Sequence, residues 1–152
     1  MSNPNRTSGG PDAAFVCNGT ADAQTVAQMR HALSHWLRSH FALDAARLND
    51  IVLAVNEALT NSAEFAYVDS PRGTMSMQAH FHADGDLGVT IVDHGRWREV
   101  APDRLTTRGR GLQLMEALAD EVSIERRPNG TSVQLRFGNC VLISEDGFAT
   151  SA

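Results

Sequence analysis

The sequence has no lysine; all 13 of its basic residues are arginine. That absence removes several chemistries at once. A Walker A phosphate loop requires its lysine. A eukaryotic-type protein kinase requires a strand lysine against the ATP phosphates. Schiff-base and pyridoxal catalysis require a lysine amine. Any phosphate held by this chain is therefore held by arginine, backbone N–H groups or a metal. Long apolar runs are absent too. The longest clear one is Ile51–Val55, far below the roughly 18 residues of a membrane span. The N-terminus has no apolar signal core, so the reading is a cytoplasmic protein with no membrane partner. Cysteine is scarce: Cys17 and Cys140 are far apart with no CxxC motif, as expected of reduced thiols. There is no HExxH motif for zinc and no GxSxG elbow for a serine hydrolase. The formal net charge of −5 argues against direct nucleic-acid binding.

What is present fits one ordinary domain: 152 residues, 42% hydrophobic and 20% charged. Residues 1–12 are rich in Ser, Asn, Gly and Pro and read as a flexible arm. Ala13–Cys17 is a candidate first strand. Thr20 is placed to cap a helix entered at Ala21, with Asp22 in its first turn. Val26, Met29, Leu33, Trp36 and Leu37 then recur at helical spacing. Trp36 reads as core. Asp44 reads as the cap of a second helix whose inner stripe is Leu48, Ile51, Val52, Val55, Leu59, Ser62 and Ala66. Alternation over Met75–Phe81 and Leu87–Ile91, around Ala83-Asp84-Gly85-Asp86, predicts a hairpin. An aperiodic, Arg-rich stretch runs from Arg96 to Arg110. Leu112, Leu114, Met115 and Leu118 predict a third helix. Val122–Glu125 and Ser132–Phe137 predict a closing hairpin around Pro128-Asn129-Gly130. After Gly138 the chain is a tail, with Val141–Ile143 as a possible short strand. The order β-α-α-β-β-α-β-β predicts an α+β two-layer sandwich, its mixed, mostly antiparallel sheet covered on one face by helices.

Four short elements carry chemistry. The outer side of the second helix presents Asn56, Glu57, Thr60, Asn61 and Glu64, and the i,i+4 spacing of Glu57 and Asn61 projects both together. A glutamate can serve as a general base. An asparagine oxygen suits Mg²⁺. A solvated helix face gives the same pattern. Asp93-His94-Gly95 ends a strand, where the carboxylate can accept from an exocyclic amine and Gly95 admits a flat ring; a turn after an edge strand is the plainer reading. Arg108-Gly109-Arg110-Gly111 precedes the third helix, so N–H groups and guanidinium groups can face an anion. Gly130-Thr131 opens the last strand. The pairs His31/His35 and His80/His82 read as surface histidines. The remaining arginines of the cluster, Arg96, Arg98 and Arg104, fit phosphate, an acidic partner or solubility.

Taken in this order, the four elements resemble the N, G1, G2 and G3 boxes of the Bergerat-type (GHKL) ATPase superfamily. The N box runs from Glu57 through Asn61 to Tyr67. G1 is Asp93-His-Gly95, G2 is Gly109-Arg-Gly111-Leu-Gln-Leu-Met115, and G3 is Gly130-Thr131. The likeness spans about Ala13 to Phe137, and the wording of G2 resembles that of stand-alone anti-sigma-factor serine kinases. That resemblance implies an ATP-binding kinase domain over 13–137 and a tail over 138–152. It implies an ATP-dependent serine protein kinase, acting as a homodimer, that sequesters a sigma factor and phosphorylates a serine on an anti-sigma-factor antagonist. It implies Mg²⁺ coordination by Asn61 and general-base work or hydroxyl orientation by Glu57. Asp93 would bond the adenine amino group beside Gly95. Arg108, Gly109, Arg110, Gly111 and Leu112 would lie along the nucleotide, and Thr131 would support the adenine end. Two positions depart from the family pattern: Phe65 replaces a histidine, and Trp97 replaces the second G1 glycine. A module that binds ATP without transferring phosphate, or works by partner capture alone, is the alternative reading. The catalytic half of a split histidine kinase is a third.

Overall fold

A computed structural model describes residues 13–65, 73–82, 84–95 and 111–143. Strand β1 (Ala13–Thr20) leads into helices α1 (Ala23–His40) and α2 (Ala45–Phe65). Strands β2 (Thr74–Phe81) and β3 (Leu87–Asp93) form the first hairpin. Helix α3 occupies residues 111–118, and β4 (Glu121–Arg127) and β5 (Gly130–Phe137) close the sheet. The element order matches the sequence reading. The sheet order is β1-β2-β3-β5-β4, and all four ladders are antiparallel. The expected parallel component of a mixed sheet is thus absent among the described strands.

The first helix starts later than its sequence suggests. Asp22, not Thr20, is the cap: its Oδ1 accepts the Thr25 N–H at 2.8 Å, and its own backbone is extended. Thr20 remains in the β1–β2 ladder opposite Thr74, because pairing the strand to its end satisfies backbone groups that an earlier helix would leave open. Asp44 caps α2 as read, accepting the Arg47 N–H at 2.7 Å.

Register explains the core. Met77, Ile91 and Val133 form one cross-strand row, Ala79, Val89 and Leu135 the next, and Phe81, Leu87 and Phe137 the third. All nine are buried. They meet Ile51, Val55, Ala58 and Leu59 of α2 and Met29, Leu33 and Leu37 of α1 in one continuous core. Trp36 is buried against Phe15, Phe41 and His40, with ring centroids 5.2–5.6 Å apart. From α3 only Met115 reaches the core with an entirely buried side chain; Leu112 is 36% exposed.

The described part of the predicted tail, 138–143, contributes to the fold. The Ala42 N–H donates to Val141 O and the Ile143 N–H to His40 O, both at 2.8 Å, while the Cys140 N–H donates to Gly85 O at 3.0 Å. Arg47 donates to Gly138 O at 2.8 Å and lies over the Phe137 ring. The Gly138 N–H donates to Asp120, which holds that carboxyl below its usual value. Both cysteines are free thiols. Burial raises Cys17 and pushes Cys140 up to about 11, so neither is an activated nucleophile. Among the described residues no helix is long and apolar enough to cross a membrane. The arm expected over 1–12 and the Arg-rich stretch lie outside the described residues.

Candidate nucleotide site

The site is built on the last row of the helix-covered sheet face. Met75, Asp93 and Thr131 sit side by side across β2, β3 and β5. The strand carrying Asp93 is central, flanked by β2 and β5, which overturns the reading of Asp93-His94-Gly95 as a turn after an edge strand. Alternation along β3 fixes the direction of the carboxylate. Leu87, Val89 and Ile91 face the core, so Asp93 does too, and it is 1% exposed. A carboxylate so buried requires strong hydrogen-bond donors. One is the Gly95 N–H, at 3.2 Å from Oδ1.

Thr131 lies directly opposite Asp93 and is 3% exposed. Its Oγ1 has no hydrogen-bond partner among the described residues. Gly130 is constrained by the same neighbour. A Cβ there would collide with the Asp93 carbonyl oxygen and come within 3.3 Å of His94 Cα. The backbones of the G1 and G3 elements touch, and only glycine permits it. Gly130→Ala is expected to destabilise the domain by about 1–3 kcal/mol through forced backbone displacement. ATP affinity should weaken with it, because Asp93 is displaced. A thermal melt and a nucleotide titration check this, and an unchanged melting temperature with unchanged ATP affinity rejects it.

Helix α2 packs over β3 and β5. Ala54, Val55, Ala58, Leu59, Ser62 and Ala63 form its buried side. Asn56, Glu57, Thr60 and Asn61 are half-buried rather than solvated, and only Glu64 of the predicted outer group is exposed. Asn61 Oδ1 is buried with no hydrogen-bond partner among the described residues. An unmet buried acceptor costs about 1–3 kcal/mol, so Asn61 Oδ1 and Thr131 Oγ1 are two groups that a polar ligand would satisfy. An amide oxygen of this kind fits Mg²⁺, which takes one or two protein oxygens and completes its shell with phosphate and water.

Sequence reasoning missed one contact. The Arg30 guanidinium of α1 donates to Asn56 Oδ1 at 2.8 Å, next to Glu57. It joins residues 26 positions apart, and no local spacing signals such a pair. Gly111 is buried at the start of the described part of α3, with Leu112 turned outward. Arg108, Gly109, Arg110 and Trp97 lie outside the described residues. Phe65 is the last residue of α2.

An antiparallel sheet under two helices, with a buried carboxylate at the end of a central strand, agrees with an ATPase-type domain. A family model described as the histidine kinase-like ATPase domain matches residues 19–137, and the chain belongs to that family. Among its relatives, the serine-protein kinase RsbW of Bacillus velezensis is 30% identical over 106 residues, 60% of this chain and 66% of the relative. The anti-sigma F factor of Heyndrickxia coagulans is 29% identical over 93 residues, 54% of this chain and 63% of the relative. The matched span is thus about two thirds of each relative's length. The crystal structure of the RsbU and RsbW domains of a Mycobacterium tuberculosis protein superposes with a TM-score of 0.65 at 21% identity. It covers 86% of this chain and 33% of that one, a likeness of fold.

Proposed function

We propose that this chain is an ATP-dependent serine protein kinase and anti-sigma factor, which sequesters a sigma factor and phosphorylates a serine on an anti-sigma-factor antagonist. The observation that carries the reading is the buried Asp93–Thr131 pair, closed from behind by Gly130, in a chain whose relatives are named for those activities.

In this reading Asp93 accepts from the exocyclic amine of adenine, and Gly95 leaves room for the ring. Thr131 Oγ1 bonds the same end of the base. Gly109, Arg110 and Gly111, with Arg108 and Leu112, line the phosphates at the entry to α3. Asn61 presents its amide oxygen to Mg²⁺, which when bound neutralises charge on the phosphates. Glu57 accepts the proton of the substrate serine hydroxyl as that oxygen takes the γ-phosphoryl group and ADP departs. The chain uses no lysine for any of these roles, consistent with a site that positions phosphate by backbone, arginine and metal.

Asn61→Ala is expected to remove most of the Mg²⁺ dependence of nucleotide affinity, while binding of metal-free ATP changes little. Titrations with and without Mg²⁺ measure it, and an unchanged Mg²⁺ dependence rejects the role. The function as a whole is tested by incubating the full chain with Mg·ATP and source-cell lysate, then recovering its partners for mass spectrometry. The expected result is a sigma factor together with new phosphoserine on a small antagonist protein. Partners recovered with no change in phosphorylation would leave a binding module and overturn the kinase reading.

A further inference from the structure

The row that carries Asp93 and Thr131 does not stop at β5. Arg126 of β4 is the partner of Thr131 in the last ladder. The row therefore reads Met75, Asp93, Thr131, Arg126 from β2 to the sheet edge. Alternation along β4 fixes the face on which Arg126 lies. Val122 and Ile124 are half-buried against the core, while Glu121, Ser123 and Glu125 are exposed. Arg126 has the parity of Val122 and Ile124, so its side chain leaves the sheet on the helix-covered side. Its neighbours Glu125 and Arg127 leave on the other side, where they bond each other at 2.7 Å. Arg136 has Gly88 as its ladder partner on that open face, between the buried Leu135 and Phe137. Among the described strands, Arg126 is the only arginine on the face that holds the site.

Helix α3 stands over the same end of β4. The helix occupies residues 111–118 and the strand begins at Glu121, so the chain reverses between them. Met115 and Leu118 join the cluster that Val122 and Ile124 border, which lays helix and strand antiparallel, one on the other. The described helix rises about 12 Å. From Glu121 to Arg126 the strand covers about 16 Å. The start of α3 and the Arg126 guanidinium thus converge on one place, and both favour an anion there, the helix through its open N–H groups and the arginine through its charge. The unmet Thr131 Oγ1 beside them, in a residue 3% exposed, marks the same end of the row as one that a polar ligand would complete.

We infer that Arg126 is a further binding residue of the nucleotide site, its guanidinium donating to the phosphates from the sheet side, opposite the start of α3. The inference rests on the nucleotide reading of the site and not on phosphoryl transfer. Spacing along the row agrees. Two strand intervals, about 10 Å, separate Arg126 from Asp93, so when the base is held at Asp93 and Thr131 the arginine lies beyond it, on the phosphate side. Charge agrees as well. The chain has no lysine, and the α2 wall of the site carries the acidic Glu57 and Glu64, so a polyphosphate needs an arginine near the row. Arg30 and Arg47 are engaged elsewhere, with Asn56 and with Gly138. The row then divides its work: its centre recognises the base and its edge grips the phosphates. The grip of a guanidinium grows with the charge it faces, so Arg126 sets the preference for ATP over adenosine.

The test is calorimetric titration of the full chain with ATP, ADP and adenosine, on wild type, Arg126→Gln, Arg126→Lys and Arg127→Gln. Arg126→Gln is expected to weaken ATP binding about tenfold, the low end for a hydrogen bond to a charged group, because the residue is exposed. ADP should lose less, and adenosine should bind as it does to wild type. The ATP affinity of the variant should also depend less steeply on salt. Arg126→Lys should recover most of the loss by returning the charge. Arg127→Gln, on the open face, should match wild type. ATP affinity unchanged in Arg126→Gln overturns this inference alone. So does an equal loss for ATP and adenosine, which marks a contact to the base or a disturbed strand, and so does an equal loss in Arg127→Gln. A wild type that binds no adenine nucleotide overturns the nucleotide reading and this inference together. A selective loss of ATP in Arg126→Gln upholds the inference even in a chain that transfers no phosphate.

Discussion

Glu57→Ala is expected to slow phosphoryl transfer by about 10²–10⁴-fold, the usual contribution of a positioned general base. ATP affinity should stay within about twofold, because the side chain acts on the incoming hydroxyl and not on the nucleotide. The structure makes the comparison clean. Glu57 is half-buried on the site side of α2, one turn before Asn61. The anchoring stripe of that helix, Ile51, Val55 and Leu59, is wholly buried and does not include it. Alanine is also the better helix former, so α2 is not weakened. Single-turnover transfer to the antagonist serine, alongside an equilibrium titration with ATP, separates rate from binding. Equal transfer by variant and wild type would remove Glu57 from the reaction, and Glu57→Gln would show whether shape without basicity suffices.

Asp93→Asn should weaken ATP binding roughly 10–100-fold, corresponding to about 1.5–3 kcal/mol for a hydrogen bond to a charged group. The substitution preserves volume at a site 1% exposed and leaves an oxygen for the Gly95 N–H. It then turns an amide NH₂ toward the adenine amine, so donor meets donor. The loss should be concentrated in base recognition: the preference for ATP over GTP narrows, while the phosphate contribution persists. Calorimetric titrations with ATP, GTP and their diphosphates resolve this. A wild type that binds ATP and GTP equally would show that Asp93 does not read the base.

Much of this was legible in the sequence, for physical reasons that differ by element. Helix α2 declared itself because a buried stripe at 3.6-residue spacing coincides with an Asp44 cap. The hairpin β2–β3 did so because alternation of period two survives wherever one sheet face is buried. The start of α1 was misplaced because Thr20 and Asp22 are both competent caps, and the choice between them is made by the ladder to Thr74, 54 positions away. The standing of Asp93 was underrated for the same reason. A strand's own residues do not say whether it lies at the edge or the centre of a sheet, and only the pairing with both β2 and β5 does. The spacing of Leu112, Leu114, Met115 and Leu118 predicts the third helix but not which of them faces the core, and of these only Met115 is wholly buried. Short helices have little periodicity from which to fix a phase. The Arg30–Asn56 bond is a property of packed elements, and no window of sequence contains it.

The hydrogen bonds of Cys140, Val141 and Ile143 carry the cooperative unit at least as far as Ile143. Although the last sheet strand finishes at Phe137, the following six residues clasp both the end of α1, through His40 and Ala42, and the β2–β3 turn, through Gly85. A cut made directly after Phe137 would strip backbone partners from two separate elements and uncover Phe41, which is buried beside Phe81. Any fused domain, tag or tether joined downstream of Ile143 leaves this clasp whole. Tension on such a tether is delivered first to the clasp, ahead of the sheet that holds Asp93 and Thr131.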